Sequence, residues 1–567
     1  MTQTKTDTTV RISGSDYILE VSADKIAVYL AGEHTCSLDP RSALNTAGDG
    51  DATNIDGESE ILSFTETGFT PSRATFTWTS KSSNWESKTY TLTCLEDRFE
   101  YSVTVKGSGN VDSVNYFSGN ITEPCHGSDY DFFEGYHPVV PLDGSPMTYG
   151  ANQKCNPFSY LTVPPMFFHC FKTTDVEPQL MLGLVAEKGE HNFTKFDYLI
   201  SEHRWGSKFW LATNQDGHTA VSGEWTAPKI VGCAVKDRDD AARTYCDLYF
   251  NSGICSRGDA SQKPRFWHGP IACGWLEQLA VHYQKDTGLI WGCRQEMYEE
   301  LVRKLGERDL HPTILIIDDK WQEQYGTATV SRDRWQDLRA FIDGNLEKGI
   351  RTMMWYKMWD SEGIPEEYCL WDENEKRYVV DPTNPGYQAI LKENIHRIIS
   401  SDEGCYNACG LKIDFAFWQP LGRKANSYSG KYGVELFYEL VKLIRTYIKE
   451  EKPDAILNAS PCHPIFAELV DQARLHDYDY KQRNALEEFG IRASLYKAAL
   501  PNALIDTDGC GYNTRRDTMR YLTGCSKLGI PDMYAVSDTP YLSLSDDDWK
   551  AVAQSWHDYE KKIDLMY

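Results

Sequence analysis

Two periodicities divide the chain. From its start to about residue 235, apolar and polar positions alternate in short segments, among them DYILEVSADKIAVYL, ATFTWTS, KTYTLTCL, FEYSVTVKG and FWLATN. Alternation puts one face of a strand in a core and the other in water, and the Gly, Asn, Asp and Ser clusters between segments are turn chemistry. The pattern predicts a large antiparallel β-sandwich. DRDDAARTYCDLYF then reads as an amphipathic helix, followed by a polar, Gly-containing linker near 252–264. From about residue 266 uninterrupted apolar runs of strand length alternate with amphipathic helices, the mark of a parallel α/β sheet. The expected organisation is an N-terminal sandwich over 1–235, a linker helix and loop over 236–265, and an α/β domain over 266–567.

The apolar runs of the second half are HGPIACGW, TILIIDD, RTMMWYK, LKIDF, AILNAS, ARLHD, ALIDTD and a short one near GIPDMY. Helices such as RWQDLRAFIDGNLEKG, ELFYELVKLIRTYIKE and DTMRYLTGCSKLG separate them. Eight strand-helix units in roughly 300 residues match a (β/α)8 TIM barrel in length and count. The alternative, an open doubly wound sheet, lacks the G-x-G-x-x-G after a strand that would support it.

One of these strands carries an anomaly. In GLKIDFAFWQP, Lys412 and Asp414 lie two positions apart and therefore share a face, while Leu411, Ile413 and Phe415 take the other. A buried ion pair roughly breaks even in stability, so such a pair in an apolar run suggests function, with a structural salt bridge as the plain alternative. In a barrel, chemistry gathers at the C-terminal ends of the strands. Those ends carry Cys273 and Trp275, then Asp318, Asp319 and Trp321, then Trp355, Lys357 and Trp359. Lys412 and Asp414 follow, then Asn458 and Ser460, then Arg474, His476 and Asp477, then Asp506 and Asp508. Carboxylates and cations pair with hydroxyls while indoles cover a sugar ring, so the set suits a polyhydroxylated substrate. Two opposed carboxylates could attack and protonate a glycosidic bond.

Composition narrows the partners. A net charge of -25, spread along the chain, argues against nucleic acid or an anionic membrane. Aromatic residues at 13%, with 16 Trp and 33 Tyr, favour a carbohydrate. The start shows no basic segment before an apolar stretch, and no apolar run reaches the roughly 18 residues of a membrane span. Sixteen cysteines without C-x-x-C pairs fit reduced thiols, so a cytoplasmic protein is expected. Fourteen histidines show neither H-x-H nor H-E-x-x-H, so neither a metal nor another cofactor is expected. Homo-oligomerisation stays compatible with the sequence.

The barrel half resembles the α-galactosidase clan, glycoside hydrolase families 36 and 27 with the more distant family 31. The resemblance runs in the clan's order through LIIDDKW, DLRAFIDGNLEKGIRTMMWY, DPTNPGY, GLKIDF, RLHDYD and LGIPDMY, over residues 266 to 560. A sandwich before the barrel also fits family 36. The resemblance implies a retaining α-glycosidase acting on terminal α-galactosides through a covalent glycosyl-aspartate. Asp414 would be the nucleophile and Asp477 the general acid/base, with Asp479 its nearest rival. Lys412 would bind sugar hydroxyls and hold Asp414 ionised, Arg474 would contact the hydroxyl beside the anomeric carbon, and Asp318 with Asp319 would grip the 4- and 6-hydroxyls. Trp275, Trp321 and Trp355 would form walls.

The sequence also departs from the family. The loop after the fifth strand, Cys- and Gly-rich in family 36, here reads NASPCHP, so Ser460, Cys462 and His463 are expected beside the 2-substituent. The nucleophile strand continues FAFWQP, and the third strand ends WYKMWD, where Lys357 could favour an anionic substituent. No customary C-terminal sandwich follows the barrel before Tyr567. An α-N-acetylgalactosaminidase, another α-glycosidase of the clan, or a raffinose-synthase-like transglycosylase fits the same machinery. A catalytically inactive carbohydrate-binding barrel is the alternative of another class.

Overall fold

The computed structural model describes all residues except 7, 142–145, 158–160, 176, 204–205, 286–291, 478–483, 509–513 and 540–541. The first half is two antiparallel sheets over one apolar core. In Arg73–Ser80 and Ser87–Cys94 every second side chain is buried, which brings Phe76, Trp78, Tyr90 and Leu92 inward and turns the threonines outward. Across the core the Trp78 indole donates to the Ser22 carbonyl at 3.2 Å, tying one sheet to the other. The predicted helix follows as Arg238–Ser252, N-capped by the Asp237 side chain.

The second half is a barrel of parallel strands, β1 (Ile271–Cys273), β2 (Ile314–Ile317), β3 (Arg351–Lys357), β4 (Gly410–Asp414), β5 (Ile456–Ala459), β6 (Gln472–Arg474), β7 (Leu504–Asp506) and β8 (Asp532–Met533). Each corresponds to one of the eight predicted runs, and neighbours follow chain order. Between β7 and β8 the wall closes through a parallel bridge of Asp506 with Ile530 and the Ile530 amide bond to Ile505, 2.7 Å. Both faces of a barrel strand are covered, which explains uninterrupted apolar runs. Ile271, Ile314, Ile316, Met353, Ile456 and Ile530 fill the lumen, while Leu315, Ile317, Met354, Leu411, Ile413 and Leu457 join the core under the helices.

The sheets grip one particular barrel loop. After β4 the chain turns through residues 415–432 before the helix Gly433–Glu451. Arg423 of that loop bonds Asp112 at 2.6 Å and Thr53 at 2.7 Å, both in the sandwich. His218 stacks on Tyr432 with centroids 4.0 Å apart, and the Tyr432 hydroxyl donates to Asp216. The first free amides of the helix, Val434 and Glu435, donate to the carbonyls of Phe193 and His191 in the N-terminal half. At Gly433 a side chain would meet the Phe193 carbonyl oxygen at 2.1 Å, and its φ of +57° also suits glycine.

Candidate active site

The site is built where β2, β4, β6 and β7 end. Asp414 closes β4 with its side chain 16% exposed. One oxygen accepts from Arg474 Nη1 at 2.9 Å and from the Phe415 amide at 2.8 Å, the other from Trp355 Nε1 at 3.0 Å. Burial works against ionisation, yet Arg474 foremost, with Lys412 and the Trp355 indole, holds Asp414 well below the usual carboxylate range.

Lys412 is oriented differently from its expected role. Its ammonium donates to Asp318 at 2.8 Å and to the Tyr534 hydroxyl at 3.1 Å, and only 3% of its side chain is exposed. Asp318 also accepts from the Cys273 thiol at 3.0 Å and the Asp319 amide at 2.8 Å. The cation in contact with Asp414 is thus Arg474, while Lys412 neutralises the carboxylate of the next layer down. Asp319 accepts from Tyr325 at 2.8 Å, and burial foremost pushes its carboxyl up to about 6.

Arg474 organises the other side. Its 1% exposed guanidinium reaches Asp414, Asp508 at 3.1 Å and Asp477 at 3.5 Å. Asp477 stands at the mouth with its side chain 60% exposed. The surrounding walls raise its carboxyl, Arg474 pulls it back, and the charge of Asp414 raises it again, leaving it above the ordinary range. Between the two carboxylates lies His476, with Nε2 3.7 Å from Asp414 and Nδ1 3.9 Å from Asp477. Its Nδ1 accepts from the Asp477 amide at 2.8 Å, so a neutral ring carries its proton on Nε2. Burial and Arg474 push the imidazole down to about 3.

His476, Asp477 and Asp508 each offer a metal-ligand atom within 4.8 Å of the others. The positive charge between those carboxylates is supplied by Arg474. Four rim residues take left-handed backbone: Lys320 (φ +77°), Phe415 (+59°), His476 (+64°) and Asp508 (+48°). Each such residue costs on the order of 1–3 kcal/mol, held by its surroundings, and such strain clusters at sites of chemistry.

Not every expected residue faces this site. Trp355 does, through its indole N–H. Trp321 is fully buried and donates to the Trp355 carbonyl at 2.8 Å, so it supports the wall from behind. Trp275 is partly buried against the lumen cluster. Ser460 is buried with an unpartnered hydroxyl. Cys462 and His463 turn toward the first half: the Cys462 amide donates to the Pro164 carbonyl at 2.9 Å, and the His463 ring bonds Tyr245 of the linker helix at 3.1 Å. Both residues are buried where the barrel meets the first half of the chain. Lys357 ends β3 in register with Asp414. Asp479 lies outside the described residues. His476 and Tyr325 were not singled out as binding residues from sequence, although the histidine stands inside RLHD.

No family model and no curated protein matches the sequence. Solved structures do match in fold. The galactosidase domain of the α-galactosidase-sucrose kinase AgaSK superposes with a TM-score of 0.53 at 9% identity, over 99% of this chain and 86% of that one. A GH31 sulfoquinovosidase from E. rectale gives 0.58 at 11%, over 95% and 82%. The GH36 α-galactosidase AgaA from Geobacillus stearothermophilus gives 0.52 at 10%, over 100% and 86%. The chain therefore has the architecture of these glycoside hydrolases, antiparallel sheets followed by a parallel eight-stranded barrel. At such identities the likeness is one of fold, and chemistry has to be argued from the site.

Proposed function

We propose that the chain is a retaining α-glycosidase of terminal α-galactoside-type linkages, with Asp414 as nucleophile and Asp477 as general acid/base. The observation that carries this reading is the unequal pair: Asp414 kept ionised by Arg474, and the more exposed Asp477 kept closer to its protonated form. A retaining displacement needs carboxyls about 5–5.5 Å apart, a span that one guanidinium touching both can bridge. Asp477 protonates the leaving oxygen as Asp414 attacks the anomeric carbon; Asp477 then draws a proton from water, which releases the sugar from Asp414. The fold shared with α-galactosidases and the adjacent carboxylates Asp318 and Asp319 support a galactoside as the glycone.

A panel of aryl α- and β-glycosides, with the first-formed product anomer followed by NMR, tests the reading. Release of the α-anomer from an α-galactoside is expected; initial release of the β-anomer would overturn retention. Absence of hydrolysis with sugar binding intact would instead leave a binding barrel.

The pair also fixes a pH profile. Asp414 must be ionised, and its lowered pKa puts the acid limb of kcat/KM below the ordinary carboxylate range. Asp477 must be protonated, and its raised pKa moves the alkaline limb upward. Asp477→Asn should remove the alkaline limb and cost about 10²–10⁴-fold on a methyl α-galactoside. A dinitrophenyl glycoside, whose leaving group needs no proton, should lose far less. Equal losses on both would take the acid role from Asp477.

A further inference from the structure

A wall of cations and aromatic rings stands beside the nucleophile strand. The Lys357 ammonium lies 4.2, 4.8 and 4.1 Å from the ring centroids of Tyr325, Phe415 and Trp418, with Asp360 2.8 Å away. Arg377 comes from a hairpin, Cys369–Asp372 with Arg377–Val380, in the connection after β3. Its guanidinium carbon lies 3.5 Å from the centroid of the same Trp418 ring. Lys320 lies 4.3 Å from the Tyr325 ring, and the Tyr325 hydroxyl ties this wall to Asp319.

Among the described residues Lys357 pairs with Asp360, whereas neither Lys320 nor Arg377 forms an ion pair. Arg377 keeps Nε and Nη2 buried and without a partner. Asp372, across the hairpin from it, gives one oxygen to the amides of Leu421 and Asn374, and its other oxygen is likewise unpartnered. Buried donors left empty are costly, so they mark the place of an acceptor. A guanidinium lying on an indole, with donors free, is suited to a two-oxygen anion.

We propose that Arg377 and Lys357 form a subsite for an anionic oxygen group, a carboxylate or a sulfonate, carried by the sugar on the side of the ring that Asp319 faces. The proposal rests on the glycosidase reading for the placement of the sugar and narrows its substrate class to acidic glycosides. The aromatic rings exclude water and face the ring carbons, while the cations supply the charge-dependent part of recognition.

The test compares 4-nitrophenyl α-galactoside, α-galacturonide and the 6-deoxy-6-sulfonate α-glycoside on wild type and on Arg377→Met, with thermal melting as a control for folding. Wild type is expected to favour at least one anionic glycoside over the neutral one by about tenfold or more in kcat/KM, mostly through KM. Which of the two it favours distinguishes carboxylate from sulfonate. In R377M that ratio should fall about tenfold, and 0.5 M salt should erode it in wild type. Preference for the neutral glycoside, or a ratio that R377M leaves unchanged, would overturn the subsite. If no glycoside is cleaved, the catalytic reading has failed and calorimetry judges the subsite alone. Galacturonate binding tighter than galactose, and lost in R377M, upholds it; equal binding overturns it.

Discussion

Asp414→Gly is expected to lose turnover by roughly 10⁴-fold or more on an aryl α-galactoside, because no other group can form the covalent intermediate. Added azide should restore aglycone release and yield the β-galactosyl azide, since the small anion attacks once from the face that the carboxylate vacated. Identification of that azide by NMR is the check, and the anomer matters more than the rate. Activity within tenfold of wild type without azide would remove Asp414 from the reaction. Folding should survive: Arg474 loses one carboxylate but keeps Asp508 at 3.1 Å, so its charge is not left bare.

Lys412→Met should act on a different quantity. It strands Asp318, which is 4% exposed and whose cation lies 2.8 Å away. Removing one member of such a buried pair costs about 3–5 kcal/mol, visible as a lowered denaturation midpoint. Pairing it with Asp318→Leu should recover part of that loss, because two apolar residues leave no orphaned charge. Arg474→Met, in contrast, should shift the acid limb of kcat/KM upward more than Lys412→Met does, since Arg474 is the foremost charge holding Asp414 ionised. The reverse order would return that role to the lysine.

The eight barrel strands could be read from the sequence because parallel strands are covered on both faces and so run apolar until they reach the rim. Of the polar residues that end those runs, Arg474 draws Asp414, Asp477 and Asp508 together, while Asp318 and Asp506 lie buried with Lys412 and Asn458. What could not be read was which partner each charge would choose. The period of a strand places Lys412 and Asp414 on one face, but depth decides that the lysine turns to Asp318 and that Arg474, from β6, reaches Asp414. The acceptor of the indole N–H separates Trp355, which reaches Asp414, from Trp321, which reaches the Trp355 carbonyl, two tryptophans of equal standing in sequence. Nor could the partner of His463 be read, Tyr245, almost 220 positions distant. The left-handed turn at Phe415 leaves no compositional trace, since a bulky aromatic residue rarely takes that conformation.

The clamp on residues 415–432 has a consequence for how this molecule could diverge. The segment that begins beside Asp414 and carries Trp418 is fastened by Asp112, Thr53, His218 and Asp216, all on the sandwich. Its shape is therefore held jointly by two halves of the polypeptide. A barrel transplanted onto a foreign sandwich would inherit the carboxylates and lose the fixture that aims the loop. Conversely, a change at Asp112 or Asp216, far along the chain from Asp414, can reshape the loop beside it without touching Asp414, Arg474 or Asp477.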